Sequence, residues 1–186
     1  KNKKISSIIC STEFSALSAI KACNYLIKKN HTHIAYINIS EKYNFANERK
    51  SSFLKNLKLN KINFNPNYYA SVKLEEPENS FEVIKKMLTK NKKISSIICS
   101  TEFSALSAIK ACNYLNYKIG KDISIITFDG ALVRDLSSPP ITAVSFPVKE
   151  LGKRAINILL DKNKNQTINY LAKSEIIDRG SVHIVS

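Results

Sequence analysis
The chain has 186 residues, 44% of them hydrophobic, with only 4 Gly and 5 Pro. That allows one sizeable domain or two small lobes with a real core, and it excludes linker-like and collagenous chains. No apolar run approaches the roughly 18 residues of a membrane span, and 29 basic against 15 acidic residues leave a net charge of +14. Such a charge suits a nucleic-acid or anionic partner. Here the lysines are dispersed rather than gathered in one aromatic-studded stripe, which favours a generally lysine-rich surface.

In chain order, "ISSIIC" (residues 5–10) is a short apolar run, the signal of a buried strand. Ser11 or Thr12 can cap the helix that follows, whose apolar positions include Phe14, Leu17, Ile20 and Leu26. "HIAYINI" (33–39) predicts a second strand, completing a βαβ unit. A helix over 47–59 turns Phe53, Leu54 and Leu57 inward. Residues 61–70 hold a strand broken by Pro66, and 77–90 form a helix with proline in its first turn. A strand and helix over 90–115 then stop at Gly120, and "DISIITFD" (122–129) is a further strand. After a loop with two prolines come a strand near 141–146, an amphipathic helix over 147–162 and terminal strand segments over 168–185. Strands alternating with helices imply an α/β fold, a doubly wound and mostly parallel sheet covered on both faces.

The 26 residues from Lys1 to Leu26 recur unchanged from Lys90 to Leu115. Two identical units are not a repeat array, for which three or more drifted units are expected. The four cysteines, Cys10, Cys23, Cys99 and Cys112, are therefore two cysteines seen twice. None forms a CxxC pair, so zinc is not expected, and reduced, buried thiols suit a reducing cytosol. His31 and His33 make an H-x-H without a carboxylate or cysteine at ligand spacing, which points to a turn and strand start rather than a metal. No phosphate loop or nucleophile motif occurs, so neither an enzyme nor a cofactor is expected.

Ligands of open parallel sheets bind beyond the carboxyl ends of the strands. The residues that follow strands are therefore the candidates: Ser40 and Glu41, Ser100 to Glu102, and Asp129. A carboxylate at Asp129 can accept two hydrogen bonds from sugar hydroxyls or a base; the alternative is a turn or helix-cap aspartate.

Six stretches carry a resemblance: "NHTHIAYI" (30–37), "ER" and "SFL" (48–54), "SSIICSTEFSALSAIKA" (95–111), "GKDISIITFDG" (120–130), "LSSPPITAVSFPVKELGKRA" (136–155) and "IIDRGSV" (176–182). In order and spacing they resemble the effector-binding region of the lactose-repressor (LacI/GalR) family of bacterial transcription regulators. The resemblance implies a periplasmic-binding-protein-like fold, apparently truncated, with a small-molecule effector, sugar or nucleoside-like, between two lobes. It further implies a cytoplasmic homodimer that meets operator DNA only through a headpiece this chain does not include, and no membrane. On this reading residues 1–30 stand in for the end of the N-terminal lobe and the first helix of the C-terminal lobe. Residues 31–140 are the C-terminal lobe, 141–165 a returning N-lobe segment, and 166–186 terminal strands. The effector contacts it implies are Arg49, Thr101, Glu102, Asp129 and Phe146. Thr101 and Glu102 stand where many members carry Asn and Asp, and Phe146 near a frequent Gln. For Arg49 the alternative is a solvent-facing partner of Glu48, and for Phe146 a core phenylalanine. The competing functions are a sugar-binding component of a transporter and a structural piece without a ligand.

Overall fold
The computed structural model describes residues 12–73, 76–131, 133–134, 137–160, 170 and 172–186, without the side chains of 12–14 and Leu159. The strand expected over 5–10 lies outside these residues, as does the end of the helix expected over 147–162. The described elements are α1 (Thr12–Lys28), β1 (Ile34–Ile39), α2 (Asn44–Leu59), β2 (Tyr69–Val72), α3 (Pro77–Lys90), β3 (Ser96–Cys99), α4 (Glu102–Tyr114), β4 (Ser124–Phe128), β5 (Thr142–Ser145), α5 (Val148–Leu160) and β6 (Glu175–Ile177).

The strands form one sheet in the order β2-β1-β3-β4-β5-β6. Neighbours from β2 to β5 run parallel, and β6 is antiparallel to β5. Every residue of β1, β3 and β4 is buried. Their unbroken apolar runs follow from burial on both faces, which removes the polar alternation of a one-sided sheet.

Chain direction assigns the helices to faces. From β1 the chain steps outward to β2 through α2, then returns past β1 to β3 through α3 and continues to β4 through α4. Right-handed crossovers require a reversal of direction to change face. Accordingly α1 and α2 cover the side of Tyr36, Ile98, Ile126 and Phe128, whereas α3 and α4 cover the side of Ile37, Ile97, Cys99 and Ile125. The repeated peptide thus packs on both faces of one sheet. In α1 its inward stripe is Ser15, Ser18, Ala19, Ala22 and Cys23; in α4 the equivalents Ser104, Ser107, Ala108, Ala111 and Cys112 are also buried. Small side chains along that stripe let either helix lie close to the strands. Cys23, Cys99 and Cys112 are free thiols in this packing, and burial pushes Cys23 up to about 11 and Cys112 to about 12.

Two expectations change. Helix α4 ends at Tyr114, and the left-handed residue directly behind it is Asn116, at φ 60°, ahead of Gly120, at φ 79°. Gly120 serves a different need: a Cβ there would stand 2.3 Å from the Gly180 carbonyl oxygen, so the terminal segment could not approach. Of the residues expected as terminal strands, only Glu175–Ile177 is a strand among those described, because the segment behind it is held by side chains and by isolated backbone bonds rather than a ladder. Strand β5 belongs to the same sheet as β4, so the chain stays with this sheet through Ser145.

At the amino edge of the sheet the start of β1 meets the terminal segment. His31 is fully buried; its Nδ1 lies 2.8 Å from Ser95 Oγ, and its Nε2 lies 3.1 Å from the His183 carbonyl and 3.0 Å from Ser124 Oγ. Ser124 Oγ also accepts from the His183 N–H and sits 3.0 Å from His183 Nδ1. Two neutral imidazoles close this circuit. Ser95 donates to His31, His31 donates to the His183 carbonyl, and Ser124 donates to His183. Farther along, Ser181 Oγ donates to the Ile125 carbonyl and accepts from the Thr142 N–H, stitching the segment between β4 and β5.

Candidate functional site
The sheet reverses direction between β1 and β3, where one crossover leaves toward β2 and the other toward β4. The loops after those two strands leave toward opposite faces of the sheet, and in such sheets ligands bind in the crevice beyond the carboxyl ends at that point. The loops after β1, β3 and β4 open there, bringing Glu41, Ser100, Glu102 and Asp129 to one edge.

Arg49 enters from α2 and is buried at 8% exposure. Its Nη1 donates to the Ser100 carbonyl at 2.6 Å, and its guanidinium lies 4.2 Å from the Phe128 ring centre and 5.2 Å from that of Phe45. The solvent-facing pairing with Glu48 is therefore not what the residue does. Its Nε is buried without a hydrogen-bond partner in the protein, as are the hydroxyl of Tyr36 and Oδ1 of Asn38. Burial lowers the pKa of Arg49, while Tyr36 and Asp129 oppose the shift.

Asp129 directly follows β4 with φ 68°, a left-handed turn continued by Gly130 at φ 71°. The residue is exposed, but burial of its carboxyl raises its pKa; Arg49 pulls it down and Glu102 pushes it up. Arg49, Glu102 and Asp129 therefore share one electrostatic neighbourhood. Thr101 is the N-cap of α4, its hydroxyl accepting from the Ser104 N–H at 3.2 Å in a capping box. Glu102 Oε1 accepts from the Val133 N–H at 3.4 Å, tying α4 to the loop after Asp129. Phe146 is half-buried where the chain leaves β5, away from the β1–β3 crevice in strand order.

Beside the crevice, Glu41 joins the Lys50 ammonium and accepts from the Tyr69 hydroxyl at 2.7 Å. Asn38 Nδ2 donates to that hydroxyl at 3.3 Å and to the Ala46 carbonyl at 3.2 Å. Sequence reasoning placed Glu41 here but missed Asn38, Lys50 and Tyr69. Asn38 was the available signal, an amide inside an otherwise apolar strand. A cavity of about 290 Å³ near His33, Lys61 and Tyr68 opens at the opposite edge. It is remote from the clustered charges, and the strand-end geometry decides for the crevice.

Residues 23–182 match the family model described as periplasmic binding protein-like domain. The chain belongs to this family. Within it, the region corresponds to the effector-binding part of LacI-type regulators. It is 31% identical over 141 residues to the HTH-type transcriptional repressor PurR of Histophilus somni, covering 76% of this chain and 42% of that protein. It is 29% identical over 158 residues to the ribose operon repressor of Haemophilus influenzae, covering 85% of this chain and 47% of that one. The chain thus spans less than half the length of these curated relatives. In fold it is similar to the Escherichia coli transcriptional repressor ascG, with TM-score 0.82, 23% identity, and 98% of this chain and 67% of that one covered. It is also similar to a sugar-binding transcriptional regulator of the LacI family from Escherichia coli, complexed with phosphate. There the TM-score is 0.83 at 22% identity, with 100% of this chain and 66% of that one covered. The periplasmic binding protein-like fold is the expected α/β sheet, and regulators rather than transport proteins stand among these relatives. Among the described residues no helix is long and apolar enough to cross a membrane.

Proposed function
We propose that this chain is the effector-binding and dimerisation region of a LacI-type transcriptional regulator, non-enzymatic and cytoplasmic. The observation that carries the proposal is the meeting of Arg49, Glu102 and Asp129 at the strand-end crevice where the sheet reverses direction. The carboxylates supply acceptors for hydroxyl or N–H groups, and the buried guanidinium fixes the floor between two aromatic rings. A sugar or nucleoside-like effector matches that set: it offers several donors together with a face that packs on aromatic carbon. Thr101 orients the helix that presents Glu102, and Phe146 lines the route out of the lobe.

Effector binding then biases the arrangement of two lobes, and a homodimer passes the change to operator DNA through a separate headpiece. We place the division between this lobe and its returning segment after Ser145, because β5 is hydrogen-bonded into the sheet. The residues after it form α5, where none of the described side chains is fully buried and Val148, Ile156 and Leu160 are exposed at 67%, 56% and 71%. This helix, together with exposed Phe103 and Tyr114 on α4, supplies apolar surface for lobe and dimer contacts.

Calorimetry against a panel of free sugars and nucleosides tests the reading. One class should bind the wild-type chain and fail to bind Asp129→Ala of unchanged circular dichroism. No heat from any member of the panel, or unchanged affinity in the variant, would refute the reading.

A further inference from the structure
We propose that Arg179, from the terminal segment, is the positioning residue that holds the Asp129 turn in shape for the effector site. This rests on the assignment of Asp129 to that site.

The turn is held by backbone bonds from the Asp129 N–H to the Val144 carbonyl and from the Gly130 N–H to the Phe128 carbonyl, and by the Val133 N–H on Glu102 Oε1; Arg179 adds a bridge between its two ends. Among the described residues the connection from β4 to β5 contains no helix, unlike the helical links from β1 to β2, β2 to β3 and β3 to β4. Asp129 and Gly130 are both left-handed, a conformation that costs a non-glycine residue about 1–2 kcal/mol. Arg179 stands across the base of this connection. Its Nη1 donates to the Ile141 carbonyl at 2.7 Å and to the Gly130 carbonyl at 3.3 Å, so one side-chain atom bridges the two ends of the loop. The packing leaves no slack: a Cβ on Gly130 would lie 2.7 Å from that Nη1 and 2.4 Å from the Ala143 Cβ. Gly130 is glycine because its backbone is left-handed and the Ala143 Cβ leaves no room for a side chain, and the guanidinium crowds the same space.

The arginine can serve as a fixed reference because its own backbone is fixed. The Arg179 N–H donates to Thr142 Oγ1 at 3.1 Å, and Thr142 Oγ1 donates to Asp178 Oδ1 at 3.2 Å. Ser181 and the histidine circuit then anchor the residues that follow. A segment distant in sequence thus carries the rigidity of the sheet's amino edge to the turn at its carboxyl edge. The two N–H bonds of Nη1 lie in the fixed guanidinium plane, one for each carbonyl, a pair of set directions that a lysine ammonium on a flexible stem does not reproduce.

Amide hydrogen exchange and a carbon-detected titration of the Asp129 carboxyl test the assignment without any ligand, in the wild-type chain, Arg179→Ala and Arg179→Lys. Exchange at Gly130 and Ala131 should rise about tenfold or more in Arg179→Ala, the signature of about 1.4 kcal/mol of lost local stability. Amides of β1 should keep their protection. The raised Asp129 midpoint should fall toward that of an ordinary aspartate as the carboxyl leaves its enclosed position, and Arg179→Lys should restore neither. Unchanged exchange at Gly130, an unmoved Asp129 midpoint, or equal loss of protection across the sheet would overturn the proposal. If Arg179→Ala does not fold, Arg179→Lys alone decides: wild-type exchange and midpoint in it would overturn the need for the fork. Failure of every sugar and nucleoside to bind the wild-type chain would remove the effector reading, and with it the purpose assigned to the turn, while a shift at Gly130 would still establish the clamp.

Discussion
Acid should weaken this fold through His31, and the loss can be worked out. His31 is fully buried, and burial pushes its pKa from the ordinary 6.5 down to about 4. Lys29 on the preceding turn and His183 from the terminal segment add to the depression, and hydrogen bonding to the His183 carbonyl opposes it. Burial depresses His183 as well, with Asp122, ahead of β4, opposing the shift and Lys29 adding to it. Above the unfolded pKa both states hold a neutral imidazole, so His31 contributes no pH dependence there. Below it the unfolded chain takes the proton first, and native stability falls until the pH passes the folded pKa. With those two values the loss is about 2 kcal/mol at about pH 5 and approaches about 3 kcal/mol below about pH 4. Denaturant unfolding of the wild type and His31→Asn across that range measures it, because the variant keeps every carboxylate and loses only this imidazole. The stability of the wild type should drop more steeply than that of the variant. Parallel loss in the two proteins, or a His31 imidazole resonance titrating near 6.5, would refute the reasoning.

Arg49→Met should lower stability by about 2 kcal/mol in urea, because the Ser100 carbonyl loses a charge-assisted bond and Phe128 loses its cation, partly offset by relief from burying a charge. An unchanged midpoint would show the guanidinium to be replaceable in the floor. Gly130→Ala should cost about 3 kcal/mol, combining a left-handed alanine with overlap on Ala143, and thermal unfolding checks it. Cys23, Cys99 and Cys112 should stay unlabelled by a thiol reagent at neutral pH until the chain unfolds; rapid labelling of native protein, located by mass spectrometry, would contradict their burial.

The sheet was legible because its strands are apolar runs bounded by polar turns, and α3 was read to the residue from Pro77 and the spacing of Phe81, Ile84 and Leu88. Asp129 was legible for the same reason, as the carboxylate directly behind such a run. Arg49 could be singled out as a candidate, but not its grip on a backbone carbonyl, since the partner atom belongs to no side chain. Gly120 misled because a glycine after a helix has two uses, a stop and a close approach, and the second depends on a carbonyl 60 residues away. His31, His183 and Arg179 were illegible as a group. Their partners lie across the sheet, from 38 residues away for Arg179 and Ile141 to 152 for the histidines, and no local pattern marks them.

The duplicated peptide has a consequence for measurement. Tyr25 is half-buried against Asp178, whereas its twin Tyr114 is 66% exposed beside Phe81, and Leu17 and Leu106 likewise meet different surroundings. Helix propensity, neighbouring letters and side-chain volume are the same at both members of each pair. A substitution made at Ala19 and again at Ala108 therefore differs only in environment, and subtracting one effect from the other isolates tertiary context from local sequence. The chain carries its own reference state, a matched control inside a single polypeptide.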